Sequence, residues 1–183
     1  VWGHAPNDIH AVAAHGRIYR FDGSRWTERE TGTASWLKAL WGVAGDQIVA
    51  VGDRGTIRRW DGSDWLSIVT IDSGTRTGQY NSLALGSDDS PHISYYDAFN
   101  DDLKYARWDG SGWVKETVDS EGNVGSYTAL DLDRDDYPHI SYFDSTNGDL
   151  KYARWTGSRW QIETVDSEGQ TGSHTSLKLD ENG

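Results

Sequence analysis

The 183-residue sequence contains no cysteine and no methionine, only three prolines, and fewer cations than anions. The absence of cysteine excludes disulfides, thiolate metal sites and thiol nucleophiles. No apolar run approaches the roughly 18 residues of a membrane span, so we expect no membrane insertion. The 17 Lys and Arg against 29 Asp and Glu give a net charge of −12. This balance argues against nucleic acid as a partner, because phosphate backbones attract clustered cations.

Aromatic residues and glycine are abundant instead. The chain has 10 Trp, 9 Tyr and 21 Gly, although only 36% of its residues are hydrophobic. Such a chain must build its core from aromatic side chains that recur between tight turns, which is typical of repeated β-structure.

Two internal repeats organise the sequence. The segment 91–97 returns at 138–144 and the segment 103–108 returns at 150–155, a spacing of 47 residues, while 21–24 returns at 60–63 with a spacing of 39. Each repeat contains four short runs of alternating apolar and polar residues, which we number as first to fourth strands. Four strands every 40 to 50 residues or so are the signature of a β-propeller blade.

We therefore predict an all-β chain forming a single β-propeller domain of four-stranded antiparallel blades, with about four blades. Residues 1–66 form two blades of the 39-residue type, 67–166 form two of the 47-residue type, and 167–183 carry a lone inner strand at Ser173 to Leu179. The partial blades at the two termini are complementary. They allow three alternatives: closure within the chain, closure between two copies, or a piece of a longer propeller.

The repeats carry a family resemblance. The pattern Trp-Gly-x-x-x-Asn-Asp-Ile-x-Ala-Val at the N-terminus resembles a propeller repeat common in secreted and cell-surface bacterial proteins. The patterns Pro-His-Ile-Ser-Tyr-x-Asp and Asp-Leu-Lys-Tyr-Ala-Arg-Trp resemble a second bacterial repeat, distantly similar to tachylectin-type and Asp-box propellers. The resemblance implies an extracellular or cell-surface location. The missing Met agrees with a removed signal peptide or absent upstream sequence.

The two ends of the blades differ in length variation. First-to-second and third-to-fourth connections keep their length, and we call this the short-turn end. Second-to-third connections lengthen from 7 residues (Asp53 to Trp60) to 11 (Asp97 to Trp108), and fourth-to-first connections lengthen as well. We call this the long-loop end. Because loops on a rigid scaffold usually carry binding, the long-loop end is the predicted functional end.

Two sets of residues at the long-loop end are candidate ligand-binding residues. Four flat side chains share one repeat position, namely Trp36, Tyr80, Tyr127 and His174. They are interpreted either as stacking platforms for sugars or aromatic peptides, or as packing between blades. The second set is the carboxylates and amides of the second-to-third loops, namely Asp97, Asn100, Asp144 and Asn147. They are interpreted either as Ca²⁺ ligands or, in better agreement with their spacing, as tight-turn formers.

Catalytic and cofactor signals are lacking. His92 and His139 occupy the same place in different blades, so we expect two partly buried histidines rather than one site. Arg107 and Arg154 are expected to stack on aromatics or to pair with a neighbouring Asp. No nucleophile-elbow, metalloprotease or phosphate-loop motif occurs, so we predict no enzyme, no cofactor and no metal. The tryptophans that open the fourth strands, Trp26, Trp65, Trp113 and Trp160, are predicted to lie in blade cores or between blades.

These observations favour a non-enzymatic scaffold or interaction module of a secreted or surface bacterial protein. The alternative is a lectin-like propeller with repeated carbohydrate sites at the long-loop end, since repeated weak sites gain avidity. A glycosidase or lyase is a remote third hypothesis. The expected partners are glycans or surface proteins, and self-association is a further expectation because it would complete the propeller.

Overall fold

The computed structural model describes residues 1–44, 47–60, 62–66, 71–72 and 76–180. Residues 67–70 and 73–75, within the third predicted blade, and 181–183, at the end of the predicted segment 167–183, lie outside the described residues. The chain divides into two compact units, Val1–Gly78 and Gln79–Gly183. No helix in the described ranges is long and apolar enough to cross a membrane.

The described strands form four antiparallel four-stranded sheets, each with its strands in sequence order. This confirms the predicted all-β fold of propeller blades. The first sheet consists of β1 (Trp2–Ala5), β2 (Asp8–Val12), β3 (Arg17–Phe21) and β4 (Trp26–Glu30). The second consists of β5 (Leu37–Ala44), β6 (Gln47–Gly52), β7 (Thr56–Trp60) and β8 (Trp65–Leu66). The third consists of β9 (Thr77–Leu85), β10 (Pro91–Asp97), β11 (Asp102–Trp108) and β12 (Trp113–Asp119). The fourth consists of β13 (Val124–Leu132), β14 (Pro138–Asp144), β15 (Asp149–Trp155) and β16 (Trp160–Asp166).

The turns between third and fourth strands follow from their sequences. In Asp109-Gly110-Ser111, the Asp109 carboxylate accepts hydrogen bonds from the backbone N–H and the hydroxyl of Ser111, at 2.9 and 2.8 Å. Gly110 adopts φ 91°, a left-handed conformation that glycine tolerates without a steric cost. The hairpin then pairs Trp108 with Trp113, whose rings lie 5.8 Å apart.

Each unit has its own hydrophobic core. In the second unit, Leu103, Val118, Val124 and Tyr142 belong to one buried cluster that joins the third and fourth sheets. In the first unit, the buried cluster includes Trp60 and Trp65, as the repeat pattern predicts.

One predicted core tryptophan is not in a core. Trp26 is 49% exposed, so the prediction for this residue was wrong. Trp65 and Trp160 lie against the preceding sheet of their own unit, whereas Trp113 is half-buried and contacts Trp108 of its own sheet. Trp65 contacts His10 of the first sheet, and Trp160 contacts Tyr105 of the third. Among the described residues, the ring of Trp26 contacts Phe21 of its own sheet.

The predicted strand at Ser173 to Leu179 has no strand assignment. Residues 171–180 are held by other contacts: Thr171 N donates to Gly148 O at 2.8 Å, and Leu179 N donates to an Asp131 carboxylate oxygen at 2.8 Å. The assignment of 167–183 to a closing or further blade stays a prediction.

Candidate functional site

Three of the four flat side chains predicted at one repeat position form a continuous stack. The ring of Tyr127 lies 4.5 Å from Tyr80 and 4.3 Å from His174, centroid to centroid. Tyr96 and Phe143 flank the stack at 6.2 and 6.3 Å. The rings therefore contact one another, as the packing interpretation expects.

Each member of this stack has a left-handed backbone. The φ angles of Tyr80, Tyr127 and His174 are 50°, 55° and 58°, which L-residues rarely adopt. The pairing of β13 with β14 shifts register between Ser126 and Ala129, so the left-handed Tyr127 lies in a bulge. Burial and the neighbouring Tyr127 hydroxyl raise the pKa of Tyr80.

Trp36 lies in the first unit and is described separately. Its exposed ring meets His15 edge-on at 6.0 Å, and Lys38 Nζ lies 4.8 Å from the ring centroid. The predicted ligand-binding role of the four residues stays a prediction.

The polar second-to-third loops bind their own backbone. The buried Asp144 carboxylate accepts from Thr146 N at 2.9 Å, Asn147 N at 3.1 Å and Asn147 Nδ2 at 2.9 Å. Asp97 accepts from Phe99 N at 3.1 Å and Asn100 Nδ2 at 2.8 Å. These contacts are those of tight turns. Across the described residues, no three or more His, Asp or Glu side chains are grouped to hold a metal ion.

A buried charge cluster lies beside the fourth-sheet loop. Asp119, at the end of β12, accepts hydrogen bonds from Lys151 Nζ at 2.6 Å and from the Tyr142 hydroxyl at 2.7 Å. Lys151 also lies 3.9 Å from Asp144. Burial opposes ionisation of Asp119, but the hydrogen bonds from Lys151 and Tyr142 outweigh it and lower the pKa of Asp119. This cluster ties the third sheet to the fourth.

An open pocket of about 370 Å³ lies at the other end of the second unit, the short-turn end. Aromatic side chains wall it on both sides. Tyr105 and Trp108 belong to the third sheet, whereas Tyr137, Trp155 and Trp160 belong to the fourth. The two Trp of the fourth sheet lie 5.6 Å apart, at 64° between their planes.

The strand register brings the polar groups of this pocket together. In the strand register, Arg107 of β11 lies opposite His92 of β10, and Tyr105 of β11 lies opposite Glu116 of β12. Trp160 Nε1 donates to Glu116 Oε2 at 2.9 Å and thus links the two walls. Ser87 at the rim donates to Asp136 through its backbone N–H at 2.9 Å and its hydroxyl at 2.6 Å.

His92 is buried and bonded to the Tyr105 hydroxyl. Burial lowers the pKa of His92 to about 4 and raises the pKa of Tyr105. The same His–Tyr pair recurs as His139 and Tyr152 in the fourth sheet. The partly buried histidines expected from the sequence are thus confirmed, and the repetition marks a structural pair.

Arg107 is the one cation among the residues that line the pocket. Within the described part of the chain, its exposed guanidinium makes no hydrogen bond or ion pair. Two of the arginines at the same repeat position are engaged. Arg20 donates to Asp8 at 2.8 Å, and Arg154 donates to Gln161 at 3.0 Å. The sequence predicts that Arg107 stacks on aromatics or pairs with a neighbouring Asp. It does not predict the pocket, because Trp160 and Glu116 lie 44 residues apart without a shared motif.

Comparisons with known proteins agree with the fold. No protein-family model and no curated protein matches the chain. Among solved structures, an ulvan lyase bound to -[GlcA(1-4)Rha3S]- is 16% identical with a TM-score of 0.59, over 92% of this chain and 54% of that one.

Two further solved structures are similar. A triple-arginine mutant of AofleA from Arthrobotrys oligospora is 15% identical with a TM-score of 0.57, over 86% of this chain and 51% of that one. The Aleuria aurantia lectin in complex with Fucalpha1-6GlcNAc is 18% identical with a TM-score of 0.50, over 90% and 63%. The chain thus spans between about half and two thirds of these three structures. At such low identity the likeness concerns the fold.

Proposed function

We propose that the protein is a non-enzymatic carbohydrate-binding propeller and that the pocket between the third and fourth sheets holds a sugar residue. The unpaired Arg107 guanidinium between indole walls carries this proposal. A sugar presents C–H faces that pack on aromatic rings and hydroxyls that accept from a guanidinium. A volume of about 370 Å³ lies at the lower end of the range of small-molecule sites.

The charge of the pocket indicates a neutral sugar. Five carboxylates line it, from Asp88, Asp109, Glu116, Asp135 and Asp136, against the single cation Arg107. His92 adds no charge near pH 7, since burial lowers its pKa to about 4. Like charges repel strongly where water is partly excluded, so uronates and sulfated sugars are disfavoured.

The pocket lacks the features of a catalytic site. Tyr105 is buried, its pKa is raised, and its partner is the equally buried His92. A general base must reach the proton that it abstracts, and His92 and Tyr105, which line the pocket, are buried and hydrogen-bonded to each other. We therefore propose binding without turnover, in contrast to the lyase hypothesis.

The test is calorimetric titration with Fucα1-6GlcNAc, the disaccharide held by one structural neighbour, after screening of a glycan array for the preferred neutral sugar. Arg107→Ala is expected to weaken binding at least tenfold, because a hydrogen bond from a charged donor contributes about 1.5–3 kcal/mol. The matched control is Lys115→Ala, an exposed cation of the same sheet, which is expected to leave binding unchanged.

Two results would contradict the proposal. One is equal affinity of wild type and Arg107→Ala for the array sugar. The other is no binding to any neutral glycan at millimolar concentration, which would favour the scaffold hypothesis. Release of unsaturated products from an ulvan oligosaccharide would favour the lyase.

A further inference from the structure

The third and fourth sheets show how one blade covers the next. Val118, near the end of β12, is only 6% exposed, because it is packed in the shared core. Two polar contacts flank it: Trp160 Nε1 donates to Glu116, and Lys151 Nζ donates to Asp119. A covering sheet therefore supplies a Trp and a cation, and the covered sheet supplies two carboxylates.

The fourth sheet carries the same apolar and acidic residues as the covered face of the third sheet, but in the fourth sheet this face is exposed. Val165 stands 47 residues after Val118 and is 58% exposed. Glu163, in the place of Glu116, is exposed as well, and Asp166, in the place of Asp119, is half-buried. An apolar side chain and two carboxylates thus face outward where their counterparts are covered.

The first sheet carries the covering half of the same contact. Trp26 opens β4 and pairs with Phe21, just as Trp160 opens β16 and pairs with Trp155. Four residues before Phe21 stands Arg17, and four residues before Trp155 stands Lys151. Trp26 is 49% exposed, and the side chain of Arg17 is 55% exposed. The first sheet thus has a Trp and a cation with the spacing of Trp160 and Lys151, and this cation, Arg17, also lies 3.4 Å from Glu28 of its own sheet.

The C-terminal tail, residues 171–180, makes contacts on the fourth sheet that match those of β13 on the third. Thr171 N donates to Gly148 O at 2.8 Å, as Val124 N donates to Asp101 O at 2.9 Å 47 residues earlier. The hydroxyls of Thr175 and Ser141 lie 2.9 Å apart, as those of Thr128 and Ser94 lie 2.7 Å apart. The tail therefore lies on the fourth sheet as β13 lies on the third, in the place of an inner strand. In the first sheet that strand, β1, has only 4 residues, whereas β13 has 9.

We propose that a second copy of this chain docks its first sheet on the exposed face of the fourth sheet. Trp26 of one copy then donates to Glu163 of the other, and Arg17 pairs with Asp166. The charges are complementary, and the apolar Val165 is covered. This is a head-to-tail contact, and a second one between the remaining first and fourth sheets closes the pair.

The docking also completes a second pocket, a point that rests on the proposed function. Arg154, Glu163 and Trp155 occupy the places of Arg107, Glu116 and Trp108, and the Trp26 of the second copy supplies the opposite wall. Unlike Arg107, Arg154 already donates to Gln161, at 3.0 Å. The mass of the assembly tests the docking of two copies, and the sugar titration tests the proposed function. Because the mass does not depend on sugar binding, failure of one proposal is distinguishable from failure of the other.

The test is the mass of the purified chain by light scattering at several concentrations. The expected mass is twice the 20.4 kDa of one chain. Val165→Asp is expected to raise the dissociation constant at least tenfold. The matched control, Phe99→Asp, replaces a 70% exposed apolar side chain of a loop and is expected to leave the mass unchanged. Far-ultraviolet circular dichroism verifies that both variants fold.

A charge exchange tests the pairing itself. Arg17→Glu and Asp166→Lys are each expected to weaken the assembly, and the double variant is expected to restore it. A wild-type mass of 20.4 kDa overturns the proposal and favours closure within one chain. A dimer that Val165→Asp and Phe99→Asp affect equally also overturns it, as does a double variant no better than the single ones.

Discussion

The two ends of the third and fourth sheets use polar residues in opposite ways. At the long-loop end, the Asp144 carboxylate caps its own loop and Asp119 is bound by Lys151 and Tyr142. At the short-turn end, Arg107 is exposed in an aromatic pocket and, within the described part of the chain, has no partner. The contacts at the long-loop end stabilise the protein, whereas the Arg107 guanidinium at the short-turn end has N–H donors available for a ligand.

This difference shows that loop length is a weak guide to a binding site. The longer loops contain more Asp and Asn, but these side chains satisfy backbone N–H groups that a longer turn leaves unpaired. The short turns are capped in the same way, as by Asp109, but Arg107 beside them takes no part in a cap. Unsatisfied polar groups in a concave surface are the better guide.

The largest expected effect is at the long-loop end. Lys151→Ala leaves Asp119 buried without its cation and is expected to lower the free energy of unfolding by about 3–5 kcal/mol. Lys104→Ala, at the same position of the third sheet, is the control. Lys104 lies 3.7 Å from Asp102 and is less deeply buried, so about 1 kcal/mol or less is expected. Urea denaturation measures both, and equal losses would contradict the assigned role of Lys151.

Acidification is expected to weaken the short-turn end. Burial lowers the pKa of His92 from 6.5 to about 4, so the unfolded chain binds the proton more tightly than the folded protein. The stabilisation is complete above pH 6.5 and is lost as the pH falls towards 4, by roughly 3 kcal/mol at most. His92→Gln is expected to flatten the dependence of unfolding free energy on pH over this range. An unchanged slope would show that other groups dominate.

Trp160→Phe separates the two roles of the indole in the pocket. The ring is retained, but the hydrogen bond from Nε1 to Glu116 is lost. We expect a loss of about 1.5 kcal/mol in unfolding free energy, together with weaker sugar binding. Thermal unfolding and calorimetric titration measure the two effects. Unchanged sugar affinity would mean that Trp160 supports only the fold.

The smallest effect is expected at the aromatic stack. Tyr80→Ala removes one stacked ring and is expected to cost about 1 kcal/mol of stability. Its sugar affinity is expected to remain within twofold of wild type, because the pocket lies at the opposite end of the sheets. A strong loss of affinity would restore the long-loop end as the binding site.

The sequence predicts the blades well, because spacings of 39 and 47 residues and Gly-containing hairpins are local signals. It predicts contacts between blades poorly. The Trp160–Glu116 bond joins residues from different repeats, and the left-handed φ of Tyr80 and Tyr127 has no composition signal. Trp26 has the same motif as Trp160 but not the same burial, since burial depends on the neighbouring sheet.

The most direct test of the account is an NMR titration of the ¹⁵N-labelled protein with the array-selected neutral sugar. The account predicts shifts of the indole N–H signals of Trp108, Trp155 and Trp160, with the amide signals of Tyr80, Tyr127 and His174 unchanged. Shifts confined to the stack, with the three indoles unmoved, would contradict it.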